Sequence, residues 1–166
     1  MLHPVMNWLS CRRFQVADVA AYVRLALEPF DPAAELSRFT AACPASGGVV
    51  SFLGQVREGG GVEALELSHY APLTLPGMDA LAADVLSRWS LDDLLIVHRA
   101  GVMLPGDAIV LVATAACHRR DAFAAADFTM DHLKSQSWFW KREMVGGLWR
   151  WIEPRSEDRE DLSRWG

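Results

Sequence analysis

Lysine is nearly missing from this chain. Of 16 Lys plus Arg, only Lys134 and Lys141 are lysine, although lysine is ordinarily among the commonest residues. A codon preference for arginine produces such a skew, and it makes replacement easy wherever only a positive charge is needed. Cysteine is scarce too. Cys11, Cys43 and Cys117 are an odd number without CxxC spacing, so neither a disulfide framework nor a zinc site is indicated, and a reducing cytoplasm fits best. Long apolar runs are absent: the longest, "AIVLVATAAC", falls far short of the ~20 residues of a membrane span and reads as a buried strand. The N-terminal "MLHPVMNWLSCRRFQ" has no basic n-region and no continuous apolar core, so no secretory signal is expected. A net charge of -5 argues against a general nucleic-acid binder. Any anionic ligand must therefore be met by a local cluster of cations.

What is present is an ordinary globular composition, 51% hydrophobic and 22% charged over 166 residues. One domain of that length buries roughly 70% of the surface its unfolded chain exposes. The expected division is an N-terminal extension of uncertain order over 1–22, a single domain over 23–155 and a charged, frayed tail over 156–166. A short strand in "RLALEPFDP" leads to a helix capped by Asp31, started by Pro32 and ending near Ala42. "SGGVVSFLGQVR" reads as a strand with a bulge or close backbone approach at Gly54. The glycines after Arg57 turn it into "VEALELSHY", expected to pair back on it. "LPGMDALAADVLSRWS" places Met78, Leu81, Ala82, Val85, Leu86 and Trp89 at helical spacing. Two apolar strands follow, joined at Pro105-Gly106-Asp107. The second enters a helix whose Phe123, Ala126, Met130 and Leu133 are expected on one face. An aromatic hairpin around Gly146-Gly147 closes the domain. Strands alternate with helices but hairpins intervene, so the class is α+β or mixed α/β.

The five histidines form no HExxH or HxH pattern, and no GxSxG motif appears. Cys117 and His118 are strand neighbours that point to opposite faces, so Cys117 reads as a small core residue. The chemistry left is cationic. His118-Arg119-Arg120 stands where a buried strand becomes a helix, so main-chain N–H groups, the helix dipole and guanidinium groups converge as an anion site. The plain alternative is an arginine paired with Asp121. Arg57, ending a glycine-interrupted strand, has the same two readings. Lys134 in a last helical turn, and Lys141 beside Arg142, are explained either as a helix-end cation and a solvated strand residue, or as a reactive pair. Their retention amid so much arginine favours the second reading. Burial or neighbouring cations lower a lysine's pKa and let its amine exchange protons. Of the aromatics from Trp138 to Trp151, alternate members can be core while the others line a cleft.

Taken in order, "GGVVSFLGQVR", "LELSHY", "IVHRAGVMLPGD", "HRRDAF", "MDHLKSQSWFWKRE" and "RWIEP" resemble the large subunit of molybdopterin synthase, the MoaE family, from about Arg24 to Arg155. The resemblance implies an α/β hammerhead fold and a sulfur transfer. Sulfur passes from the Gly-Gly thiocarboxylate of a small ubiquitin-like subunit to cyclic pyranopterin monophosphate, forming the molybdopterin dithiolene. It implies no metal or organic cofactor on the large subunit, and a dimer of large subunits carrying two small ones as a heterotetramer. By motif, Lys134 and Lys141 would be catalytic. Gln55, Val56, Arg57, His118, Arg119, Arg142, Glu143 and Arg155 would bind substrate, with Arg155 supplied across the dimer. Three departures stand out: Gln55 where the family often has lysine, a short glycine-rich loop after Arg57, and "HYAPLTLPGM" in place of a shorter "HYPGM". The competing readings are a non-catalytic anion-binding or scaffold module using the same cations, and a paralogue that assembles without catalysing.

Overall fold

The computed structural model describes residues 12–16, 19–135, 138–153 and 156–165. The elements in chain order are β1 (Arg12–Val16), β2 (Val19–Ala26), α1 (Pro32–Ala42), β3 (Gly48–Gln55), β4 (Val62–His69), α2 (Ala71–Arg88), β5 (Asp93–Arg99), β6 (Gly101–Met103), β7 (Ala108–Ala116), α3 (Arg119–Ser135), β8 (Phe139–Val145), β9 (Leu148–Ile152) and α4 (Ser156–Ser163). They form a five-stranded sheet, β1-β2-β5-β7-β3, and a four-stranded sheet, β6-β4-β8-β9. Among the described residues only the β2–β5 pair is parallel. The mixed α/β class expected from the sequence is the one observed.

The first sheet is covered on both faces, which is why β5 is buried along its entire length and reads as a continuous apolar run. Its Leu94 and Ile96 join Val112 under α2 and α3, packed on Met78, Leu81, Val85, Phe128 and Leu133. Leu95 and Val97 face the other way, with Phe39 of α1. A third cluster, Val56, Leu65, Leu67 and Met103, lies beneath the second sheet.

Local signals are realised as expected. Asp31 caps α1, its carboxylate accepting from Ala33 N (2.9 Å) and Ala34 N (3.1 Å). Register shifts between Gly54 and Gln55, and a Cβ on Gly54 would lie 2.8 Å from Val110 Cγ1, so the close approach is real. Gly146 and Gly147 both hold positive φ, the conformation a two-residue hairpin between β8 and β9 demands.

Other expectations are corrected. β3 does not pair with β4: it pairs with β7, while β4 lies in the second sheet between β6 and β8. The three glycines after Glu58 all take positive φ and swing the chain to the other sheet instead of folding it back. α2 begins at Ala71, earlier than the apolar periodicity indicates, and carries Pro76 inside. The Pro105–Asp107 junction does join paired strands, β5 and β7, but β6 is inserted between them in the second sheet. Phe123 is 62% exposed, because the buried face of α3 is built from Ala122, Ala125, Phe128 and Thr129 as well as Met130 and Leu133. Cys117 is exposed, since β7 ends at Ala116. β1 and β2 begin ahead of Val23, inside the stretch read as an extension. The expected frayed tail contains α4, and Trp165 beyond it packs on Trp89 and Phe128 with ring centroids 6.0 and 5.2 Å apart.

Candidate functional site

The start of α3 is an exposed cationic corner. His118, Arg119 and Arg120 are all exposed, and the His118 carbonyl accepts from the N–H groups of Asp121 (3.1 Å) and Ala122 (3.4 Å) in the first turn. Two glycines open β3 beside it. A Cβ on Gly47 would stand 2.2 Å from the Cys117 carbonyl oxygen, and one on Gly48 would stand 3.6 Å from Arg119 Cα. A side chain at Gly47 would push the strand away from the helix start, whereas one at Gly48 would begin in ordinary contact with it. Among the described residues His118, Arg119 and Arg120 form no ion pair, so the expected alternative, capture by Asp121, is not realised. Arg57 and Lys134, both exposed, likewise form none among the described residues. Elsewhere the chain pairs its arginines: Arg24 with Glu35, Arg88 with Asp84, Arg99 with Asp107.

Gln55, Val56 and Arg57 divide by environment. Val56 is 5% exposed; its N–H donates to Asp107 O and its carbonyl accepts from Gly106 N, each at 2.9 Å. Gln55 Nε2 donates to Gly106 O at 3.1 Å. Both residues thus fasten the end of β3 to the turn before β7. In that turn the Asp107 carboxyl is held below its usual range by the Leu104 N–H and then the Arg99 guanidinium, against the opposing effect of burial. Arg57, the next residue, is left projecting.

The strand β8 sorts its polar residues onto two faces. Lys141 and Glu143 share one, with Nζ and Oε1 3.5 Å apart; cross-strand from them lie the buried Leu67 and Leu65. Lys141 is 44% exposed, so its amine meets a carboxylate and water, and the burial anticipated for a reactive lysine does not occur within this chain. Arg142 is on the opposite face. It pairs with Glu66, directly across on β4, and lies over the Trp149 and Trp151 rings at 4.6 and 5.5 Å. Adjacency in sequence therefore does not put Arg142 next to Lys141. The aromatics alternate as expected: Phe139 stacks on His98, centroids 4.1 Å apart, while Trp140 is 48% exposed.

Helix length separates the predicted residues into two groups. Fifteen helical steps divide Arg119 from Lys134, about 22 Å along the axis. A single copy therefore does not gather His118 and Arg119 around Lys134. Arg155 lies outside the described residues. Among the described residues no three His, Cys, Asp or Glu side chains come together as a metal site would require. Three residues that the motifs did not single out shape the segment between the lysines: Thr74, Gly77 and His98. A glycine inside a helical pattern was the one available signal for Gly77.

Known proteins share this sequence and architecture. The molybdopterin synthase catalytic subunit of Caulobacter vibrioides is 46% identical over 144 residues, spanning 86% of this chain and 96% of its own. The molybdopterin cofactor biosynthesis protein E of Burkholderia multivorans superposes with a TM-score of 0.72 at 43% identity, covering 86% of this chain and 94% of that one. A molybdopterin synthase structure from Staphylococcus aureus gives 0.69 at 29% identity, over 78% and 95%. The profile of the family described as MoaE protein matches residues 25–136. On all these grounds the chain belongs to the MoaE family.

Proposed function

We propose that this chain is the catalytic subunit of a molybdopterin synthase. It transfers sulfur from the thiocarboxylated C-terminus of a small ubiquitin-like subunit to cyclic pyranopterin monophosphate, forming the dithiolene of molybdopterin. One observation carries the assignment of the site: an acidic chain leaves Arg57, His118, Arg119 and Lys134 exposed and, among the described residues, without carboxylate partners. Such cations suit two anions, the substrate phosphate and the thiocarboxylate, which guanidinium groups hold bidentately. Lys134 and Lys141 supply proton transfer. They also stabilise negative charge as the sulfur attacks and as the resulting acyl-thio intermediate is hydrolysed.

The distance along α3 gives the dimer of large subunits a chemical purpose. The His118–Arg119 corner of one copy, with Arg155, completes the lysine end of the other, and one small subunit serves each composite site in a heterotetramer. No helix among the described residues is long and apolar enough to cross a membrane, and a cytoplasmic setting fits a thiocarboxylate donor.

Reconstitution tests the reading. This chain, the thiocarboxylated small subunit and cyclic pyranopterin monophosphate should yield molybdopterin. Lys134→Arg and Lys141→Arg should each keep the fold and lower kcat about 10²- to 10³-fold, the scale of losing one charge-stabilising donor. Full turnover in both variants would overturn the assignment of the lysines, and absence of molybdopterin with the unmodified chain would favour a non-catalytic anion-binding scaffold.

A further inference from the structure

Between the two lysines, Trp138 is fixed by its side chain and its main chain together. Thr74, fully buried in α2, donates its hydroxyl to the Trp138 carbonyl at 2.9 Å. One turn further along α2, Gly77 lies against the Trp138 indole: a Cβ there would be 2.4 Å from both Cε2 and Nε1. Glycine weakens a helix interior relative to alanine, and at Gly77 the ring occupies the space a methyl group would need. Trp138 then leads directly into Phe139, stacked on His98, and so into β8. The docked residue falls four positions after Lys134 and three before Lys141.

We propose that Thr74 and Gly77 are positioning residues for sulfur transfer: by docking Trp138 they fix where the backbone of Lys134 and the backbone of Lys141 stand relative to each other. This rests on the assignment of the two lysines made above. Neither residue needs to touch substrate. A displacement of about 1 Å in reacting groups is enough to cost on the order of 10²-fold in rate, and a methyl group at Gly77 must move the ring by at least that order.

The test uses the assembled synthase, with kcat and KM for molybdopterin formation measured beside thermal stability and small-subunit affinity. Gly77→Ala should lower kcat about 10- to 100-fold, with KM and small-subunit affinity changed less than about twofold. Adding Trp138→Leu to Gly77→Ala removes the clash and should restore kcat to within about threefold of the parent. Should Gly77→Ala fail to fold, Thr74→Val decides. It keeps shape but loses the hydroxyl, and should reduce kcat where Thr74→Ser does not. Folded Gly77→Ala and Thr74→Val proteins with parental kcat would overturn the inference, as would a rate loss that vanishes when scaled to folded protein. If Lys134→Arg and Lys141→Arg both keep turnover, the lysine assignment falls and this inference with it. If they lose it while the α2 variants do not, only the positioning role falls.

Discussion

Lowering the pH from 7 to 5 should destabilise this protein through one side chain, His98. Its ring is 6% exposed, stacked on Phe139, with Nδ1 donating to the Arg99 carbonyl at 3.0 Å. Burial penalises the imidazolium and drives the pKa from 6.5 down to about 4, the Arg99 carbonyl offsetting only part of that. The unfolded chain takes up a proton near pH 6.5 and the folded chain resists until about 4. The stability is therefore intact above the higher value and is lost progressively as pH falls between the two. Integrating the linkage gives a negligible loss at pH 7, about 2 kcal/mol at pH 5 and a limit of about 3 kcal/mol below pH 4. With a urea m-value of about 2 kcal/mol/M for a domain of this size, the pH 7 to pH 5 change should move the unfolding midpoint by about 1 M. His98→Phe keeps a ring on Phe139 and removes the titration. The pH dependence of its midpoint should be shallower than the parent's by that amount, and carboxylates that titrate in both proteins cancel in the difference. Equal pH dependence in the two proteins would refute the reasoning.

The proposed composite site makes a complementation prediction. Arg119→Ala and Lys134→Ala subunits, each nearly inactive, should regain about a quarter of parental turnover when unfolded together and refolded in equal amounts, because mixed dimers carry one intact site. No recovery would place both residues of each site in one copy. Away from the site, Asp31→Ala removes the cap of α1 and should cost about 1 kcal/mol in thermal or urea unfolding, with kcat unchanged.

Features decided within a few residues were legible before the fold was known. Asp31-Pro32 announces α1, the run from Ala108 to Ala116 announces a strand covered on both faces, and Gly146-Gly147 announces a hairpin. Features decided by distant partners were not. Nothing near β3 indicates that its neighbour is β7, because the glycines after Glu58 permit a hairpin and a sheet change equally well. Phe123 misled because α3 buries mainly small residues, and alanines carry little directional signal in a periodicity. The final helix was hidden by its charged composition. Its anchor, Asp131, accepts from Arg164 Nη2 at 2.6 Å and Trp165 Nε1 at 2.7 Å, more than thirty residues back along the chain. In the site, residue types identified the cations and helix geometry separated them. The pairing of Arg142 with Glu66 depends on a cross-strand register that no motif encodes.

From β3 to β8 the chain changes sheets at every step, five times in all. No single cut therefore separates the two sheets into different fragments, because their strands are interleaved along the chain. The strand bearing Lys141 is paired along both edges, with β4 and with β9. Its paired amide protons should exchange with solvent more slowly than those of the neighbouring loops. The lysine proposed as reactive thus sits on backbone fastened from both sides, and on that proposal whatever yields to admit a partner's tail has to be sought in the loops.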